Sequence, residues 1–304
     1  MSAAESSAWA RAWRIGPERT LLLEPFVLMG VLNVTPDSFS DGGAFGRPEA
    51  AVEHALAMVA EGAGIIDVGG ESTRPGAARV PADEQIRRVR PVIEGLRRAS
   101  DVPISIDTTL AAVAAAALEA GADIVNDVSA GGEDAELLPL AARRGSGLVL
   151  MHRVLPPDRD RYSTAYSAPL VTGDVVRAVA DWLLGRVQVA LDLGVEPDAI
   201  CLDPGLGFGK TVEQNYELLG RSGELADLGH PLLVGASRKS FIGRVTGVED
   251  PAARVHGSVV AATIAWSGGA RIVRSHDIAA TRQGLLVAQA TLAAEARRQS
   301  AQAE

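Results

Sequence analysis

The chain has 304 residues, a formal net charge of −9 and an apolar fraction of 47%. This length suits one large domain or two ordinary ones, and the apolar fraction is sufficient to build a complete core. The net negative charge argues against a general nucleic-acid binder, which would present a basic face, but it leaves room for local binding of small anions.

Cys201 is the only cysteine, so no intrachain disulfide can form, and its apolar neighbours predict an inert core thiol. Residues 1–26 contain no basic segment followed by an apolar stretch of signal-peptide length. No apolar run reaches the length that a membrane span requires. We therefore expect a soluble, cytoplasmic protein that acts neither on nucleic acid nor at a membrane.

Strand and helix patterns alternate regularly along the chain after an N-terminal extension, residues 1–24, in which the leucines at 21–23 predict a short strand that plugs or flanks the main fold. Apolar runs predict strands at 27–32, 64–70, 103–108, 123–128, 147–152, 199–204, 231–237 and 271–277. Helical spacing predicts helices at 48–62, 82–98, 110–120, 135–144, 174–193, 212–228, 251–267 and 278–298. The segment 153–167 predicts an irregular loop.

This order favours an α/β fold with a parallel sheet. Continuous apolar runs are typical of parallel strands buried on both faces, and eight β/α units in about 250 residues fit a closed (β/α)8 TIM barrel. A doubly wound open sheet is the alternative. No shift in composition divides the chain, so we predict one barrel domain at 25–298, followed by a short tail at 299–304.

Polar residues follow the predicted strands, and in such a barrel the carboxyl ends of the strands form the functional rim. One group offers short hydrogen-bond acceptors and an amide suited to a flat heterocycle rich in N–H groups: Asp107, Asn126 and Asp203. A second group offers positive charge and donors suited to a phosphate or diphosphate: Thr73, Arg74, Lys239, Arg274 and His276. Together they predict transfer from a diphosphate-activated ring compound.

Each carboxylate taken alone could equally be a structural hydrogen-bond acceptor or a helix N-cap, and Asp127 and Asp277 fit that interpretation best.

The sequence from Gly205 to Thr211 lacks the first glycine of a P-loop, because Pro204 stands there. No dinucleotide-binding glycine pattern follows the first strand. The histidines lack the spacing of a structural zinc site.

Seven motifs, read in order, carry a family resemblance: MGVLNVTPDSFSDGG at 29–43, DVGGESTRPGA at 67–77, SIDT at 105–108, VNDVS at 125–129, LDPGLGFGK at 202–210, GASRKSF at 235–241 and RSHD at 274–277. Together they resemble the dihydropteroate synthases, the sulfonamide-sensitive pterin-binding barrels of folate synthesis. The likeness implies that 6-hydroxymethyl-7,8-dihydropterin diphosphate and 4-aminobenzoate are joined to give 7,8-dihydropteroate and diphosphate, with Mg²⁺ as cofactor and a homodimer as the assembly.

The resemblance also implies roles for individual residues. Those expected to read the pterin are Asp107, Asn126, Asp203 and Lys239, with Met151 lining the ring. Asn33 is similar to the residue that binds magnesium and diphosphate, and the anion-binding set is Thr73, Arg74, Arg274 and His276. The aminobenzoate pocket is expected to include Phe208, Lys239 and Ser240, and Asp107, Lys239, Asn33 and Arg274 are the expected catalytic residues.

Three positions depart from the family pattern. Arg153-Val154-Leu155 stands where the family usually reads Met-Gln-Gly, Leu110 where Lys or Arg is common, and Ser275 where Val is usual. Two other functions are compatible with a pterin-binding barrel: a methyltetrahydrofolate-dependent methyltransferase and a non-catalytic pterin-binding paralogue. The basic rim residues argue against the methyltransferase, which has no diphosphate to bind.

Overall fold

The computed structural model describes residues 10–35 and 48–303, without the side chains of 300, 301 and 303. Its centre is an eight-stranded parallel sheet formed by β3 (Val27–Asn33), β4 (Ile65–Gly69), β5 (Ile104–Asp107), β6 (Ile124–Asp127), β7 (Gly147–Met151), β8 (Ile200–Asp203), β9 (Leu233–Val234) and β10 (Ile272–Ser275). The strand order is β8-β7-β6-β5-β4-β3-β10-β9, and a bridge between Leu202 and Leu232 joins its two ends. The predicted (β/α)8 barrel is confirmed.

Helices surround the barrel: α1 (Pro48–Glu61), α2 (Ala82–Ala99), α3 (Ala111–Ala120), α4 (Leu137–Arg144), α5 (Val175–Asp192), α6 (Val212–Gly220), α7 (Ser222–Ala226), α8 (Ser240–Thr246), α9 (Val255–Ser267) and α10 (Ile278–Ala303). Short 3₁₀ turns lie at Pro157–Arg159, Ser163–Ala165, Pro197–Ala199 and Pro251–Arg254. Buried aliphatic side chains of the helices and of the outward strand faces form one continuous core. None of the described helices has both the length and the apolar character needed to cross a membrane.

Four predicted boundaries are wrong, each for a local reason. The strand predicted at 231–237 shortens to β9 because Pro231 has no N–H for a ladder and the chain turns at Arg238 (φ 61°). The helix predicted at 212–228 breaks after Gly220 into α6 and α7. The loop predicted at 238–241 leads directly into the extra helix α8. The predicted tail instead continues α10 to Ala303, because residues 299–303 contain neither glycine nor proline.

The N-terminal extension folds, within its described part, as an antiparallel hairpin of β1 (Ala12–Gly16) and β2 (Arg19–Leu22). Alternation along β1 buries Trp13 and Ile15, which pack against the inward side chains at the amino ends of the barrel strands. The Trp13 indole donates to the Ala199 carbonyl at 2.7 Å. The hairpin therefore plugs the end of the barrel opposite the rim, and Cys201 is buried in the same cluster, as expected of a core thiol.

Candidate active site

The predicted site residues all lie at the carboxyl rim, where the described structure forms two adjoining cavities. The larger one, of about 370 Å³, is lined by Asn33, Thr73, Arg74, Lys239, Ser240, Arg274 and His276, among others. The smaller one is lined by Asp107, Asn126, Met151, Asp203 and Phe208. Thr73, Lys239 and Arg274 line both. The barrel thus brings together residues that are more than two hundred positions apart in the chain.

The smaller cavity is acidic and largely shielded from water. Asp107, the last residue of β5, receives a hydrogen bond from Arg274 Nη2 at 3.0 Å on Oδ2, while its Oδ1 has no partner among the described residues. Asp203, the last residue of β8, accepts from the Gly205 N–H at 2.7 Å. Burial, joined by the charge of Asp67, raises the pKa of Asp107 to about 7, and burial raises the pKa of Asp203 to about 6. When they are ionised, both carboxyls can accept N–H groups from a ligand, and a ligand N–H that binds them favours that ionised form.

A third carboxylate, Asp67 in the middle of β4, was not predicted as a site residue. It is completely buried, and its Oδ2 accepts from Arg274 Nε at 2.7 Å and from Asn126 Nδ2 at 3.1 Å. Because a carboxylate only accepts, Asp67 fixes the orientation of the Asn126 amide, leaving its second N–H and its Oδ1 to face the cavity. A charge inside the otherwise apolar run IIDVG was the sequence signal that could have identified it.

Lys239 and Phe208 form the wall between the cavities. The Lys239 ammonium lies 4.1 Å from the centre of the Phe208 ring, a cation–π contact. Burial and the nearby charge of Arg274 lower the pKa of Lys239 to about 8. Gly207 (φ +83°) lets the loop approach this lysine, because a Cβ there would lie 3.1 Å from Lys239 Cδ. Lys239 is therefore held where both cavities reach it.

The larger cavity is rich in donors. Ser237 Oγ accepts from the His276 backbone N–H at 3.2 Å and is hydrogen-bonded to His276 Nδ1 at 3.0 Å. Burial and the neighbouring arginines lower the pKa of His276 to about 3, which keeps the ring neutral, with one nitrogen donating and the other accepting. Arg74 is exposed at the mouth, and Arg254 lies at the opposite wall. This combination suits an anion.

Several other polar residues are structural. Asp127 accepts from the backbone and hydroxyl of Ser129, and Asp277 holds Arg238 through two hydrogen bonds, as their predicted exclusion from the site requires. Lys210 is completely buried and donates to the carbonyls of Gly205 and Phe208 and to His152. The Lys210 ammonium is thus already hydrogen-bonded within the protein, whereas the lysine of a P-loop would bind a phosphate.

Asn33, at the end of β3, is the one predicted metal ligand, and it lines the larger cavity. Most of the loop predicted to follow it lies outside the described residues. Within residues 10–35 and 48–303, no three His, Cys, Asp or Glu side chains are grouped to hold a metal ion.

Comparison with known proteins gives consistent matches. The family described as "Pterin binding enzyme" matches residues 29–276. A dihydropteroate synthase of Synechocystis is 48% identical over 263 residues, which cover 86% of this chain and 89% of that protein. The Xanthomonas albilineans dihydropteroate synthase structure with 4-aminobenzoic acid superimposes with a TM-score of 0.85 at 43% identity, covering 93% of this chain and 99% of that one. The same enzyme in complex with 7,8-dihydropteroate gives a TM-score of 0.81 at 40% identity with the same coverage.

Proposed function

This chain belongs to the dihydropteroate synthase family of pterin-binding enzymes, and we propose that it joins 6-hydroxymethyl-7,8-dihydropterin diphosphate to 4-aminobenzoate, releasing 7,8-dihydropteroate and diphosphate. One observation carries the proposal: a buried acidic cavity and a basic cavity share the walls formed by Thr73, Lys239 and Arg274. An N–H-rich heterocycle fits the first, and the diphosphate attached to it fits the second. With the substrate bound in this way, the bond to be broken would lie between them.

The pterin would be read by hydrogen bonds in the smaller cavity. Asp203 would accept N–H groups on one edge of the ring, and the Asn126 amide, oriented by Asp67, would supply a donor and an acceptor on another. Asp107 Oδ1, without a partner among the described residues, would accept a further ring N–H. Met151 would pack against the ring, since its side chain is buried in a cluster with Phe208.

The diphosphate would bind to the donors of the larger cavity. Thr73, Arg74, Arg274 and His276 line it. The two guanidinium groups would neutralise the anion, and the Thr73 hydroxyl and the neutral His276 ring would add hydrogen bonds. Mg²⁺ fits here as a proposed cofactor, because it usually keeps several waters and binds through one or two protein oxygens plus substrate phosphates. The Asn33 amide oxygen would be the protein ligand, and the bound ion would supply further charge neutralisation of the leaving group.

In the reaction the methylene C–O bond breaks, its electron pair leaves with the diphosphate, and the methylene carbon accepts the amine of 4-aminobenzoate, whose nitrogen then loses a proton. Asp107 would stabilise positive charge developing on the pterin, a role that requires its carboxyl to be ionised. Arg274 binds Asp107 on one side and faces the anion cavity on the other, so it connects the two charged ends. Phe208, Lys239 and Ser240 would contact the aminobenzoate.

Diphosphate release from pterin diphosphate, measured with and without 4-aminobenzoate, tests this proposal. A synthase releases diphosphate rapidly only when the amine is present and forms 7,8-dihydropteroate in equal amount. A methyltransferase would instead transfer a methyl group from methyltetrahydrofolate. A non-catalytic paralogue would bind the pterin and release nothing, so the three outcomes are distinct.

We also propose a homodimer in the cytoplasm. Four exposed apolar side chains on the packed pair α9 and α10 support the dimer: Val260, Ile264, Leu286 and Val287. Trp266 of α9 does not belong to that face, because its indole donates to the Pro25 carbonyl at 2.8 Å and its ring packs against Phe26 within the same chain. The location is supported by the single cysteine, which leaves the chain without an intrachain disulfide.

A further inference from the structure

One carboxylate at the rim, Glu133, joins four consecutive βα loops. It lies after β6 and accepts from Arg79 Nη2 at 2.7 Å and Nη1 at 3.1 Å. It also accepts from the Thr109 hydroxyl, which follows β5, and from Arg153 Nη2, which follows β7. Arg79 itself ends the loop after β4. Four neighbouring loops are thus held together by a single side chain.

The shielding of this cluster makes its charges effective. The Glu133 side chain is 21% exposed and that of Arg153 only 8%. Burial opposes ionisation of Glu133, but hydrogen bonds from Arg79 and Thr109 and the charge of Arg153 outweigh it and lower its pKa to about 2. The carboxylate therefore stays charged at any pH where the protein is folded and active. It separates two arginines that would otherwise face each other as like charges.

The loop after β4 depends on this cluster for its position. It carries Thr73 and Arg74, and Arg79 at its far end is bound by both Glu133 and Glu71. A hydrogen bond of 2.8 Å from the Gly76 N–H to the Pro157 carbonyl joins it to the loop that contains Arg153. Thr73, Arg153 and Asp107 also line one recess. Movement at the cluster would therefore move donors of the anion cavity.

We infer that Glu133 is a positioning residue for the substrate anion: by binding Arg79 and Arg153 together, it holds the loop that carries Thr73 and Arg74 over the site. This inference rests on the proposed function. It also gives a physical role to Arg153, which replaces the family's usual residue in a loop of altered sequence. The pairing of Arg153 with Glu133 connects that altered loop to the loop after β4.

The test compares Glu133→Gln with Asp123→Asn. Asp123 also pairs with two arginines, Arg19 and Arg97, but at the amino end of the barrel, so it controls for the loss of such pairs alone. A loosened loop must be ordered again by each substrate, so we expect Glu133→Gln to raise KM for pterin diphosphate about tenfold with kcat nearly unchanged. Asp123→Asn should change neither constant. A lower kcat with unchanged KM, which reduced folding alone would produce, would overturn the inference.

A rescue distinguishes positioning from general stability. Adding Arg153→Met to Glu133→Gln removes the like-charge contact between Arg153 and Arg79. The double variant should therefore recover about half of the increase in the logarithm of KM, because residues in direct contact are energetically coupled. A double variant that is weaker still would contradict the proposed arrangement. If Glu133→Gln does not fold, Arg79→Met carries the same expectation for KM, because it removes the loop's own end of the contact.

Hydrogen exchange keeps this inference separate from the proposed function. In Glu133→Gln, and not in Asp123→Asn, the amides of Gly76 and Ala77 should exchange faster, because the hydrogen bonds to Pro157 and Arg74 would open more often. That result needs no turnover. Unchanged exchange at both amides would refute the positioning role even if the protein is a synthase, and absent synthase activity in the wild type would refute the function alone.

Discussion

Asp67→Asn removes one charge from the buried cluster without changing its shape. In the wild type, Asp67 Oδ2 receives Arg274 Nε at 2.7 Å and Asn126 Nδ2 at 3.1 Å. An asparagine can keep both contacts on its one amide oxygen, but that oxygen carries no net charge. Its NH2 group would replace Oδ1, which has no partner among the described residues, and would lie unpaired near the Arg274 cation. We therefore expect Arg274 and the Asn126 amide to be held more weakly.

The size of the effect follows from the contacts that remain. A hydrogen bond to a charged group contributes about 1.5–3 kcal/mol, and Arg274 keeps its bond to Asp107, so a loss of about 2 kcal/mol is the expectation. At 1.36 kcal/mol per factor of ten, this corresponds to a roughly 30-fold lower kcat/KM for pterin diphosphate.

This loss of kcat/KM should become larger as the pH rises. Burial is the first cause of the raised pKa of Asp107 and the charge of Asp67 the second, so removing Asp67 lowers that pKa from about 7.

The assay measures kcat/KM between about pH 5 and pH 9. If an ionised carboxylate is essential, kcat/KM decreases toward low pH as that carboxylate becomes protonated, and this decrease is the acid limb of the profile. In the wild type the activity should fall as the pH drops through about 7, and in Asp67→Asn the fall should come at lower pH. The deficit of the variant should therefore be largest in alkaline solution and smallest at the acid end of this range. Asp123→Asn is the matched control, because Asp123 pairs with Arg97 and Arg19 at the opposite end of the barrel.

The reasoning fails if the acid limb of Asp67→Asn coincides with that of the wild type, or if its kcat/KM stays within a factor of two at alkaline pH. Asp123→Asn should lower the melting temperature and leave kcat/KM and its pH profile unchanged. A control that moved the acid limb as well would show that any loss of a buried carboxylate has this effect, and the specific role of Asp67 would then be rejected.

Four further outcomes are expected. Lys239→Ala should abolish turnover because it removes charge where both cavities meet, and near-normal kcat/KM would exclude that role. Asp203→Asn should weaken pterin binding by about 1–3 kcal/mol in calorimetry, and unchanged affinity would argue against its placement. Trp13→Ala should lower the free energy of unfolding in urea by about 3–5 kcal/mol with KM unaltered. Val260→Asp should yield a monomer in sedimentation velocity, whereas Leu22→Asp, on the distant hairpin, should not; equal behaviour would contradict the proposed interface.

The fold was predictable because its signals are local and repeated. Largely apolar strands such as 147–152 and 199–204 indicate burial on both faces. Helical spacing alternates with the strands, and two of the helices end at a glycine, Gly121 and Gly145. The rim residues followed from the strand ends alone. In a closed parallel barrel all those ends meet, so no knowledge of the tertiary contacts was needed to place them together.

The supporting residues could not be predicted in the same way, since their partners are distant in sequence. Asp67 binds Arg274, 207 positions away, and nothing in the alternation of β4 identifies that partner. The contacts of Glu133 depend on which arginines of neighbouring loops are long enough to reach it. Helix α8 was missed because the turn that leads into it depends on left-handed geometry at Arg238, two residues before the helix starts at Ser240, and the sequence SRKSF does not indicate that geometry.

The two cavities differ in charge in the direction that the proposed reaction requires. Asp107 and Asp203 line the pterin side, where positive charge would develop, and Asp67 lies behind it. Arg74, Arg254 and the donor nitrogen of His276 line the opposite side, where the diphosphate would leave with negative charge. Such a fixed arrangement favours heterolysis of a bond lying between the cavities, because the groups need not reorient as charge separates. It disfavours the same bond in the reverse orientation, so the polarity of the site selects which end of the substrate enters the acidic cavity.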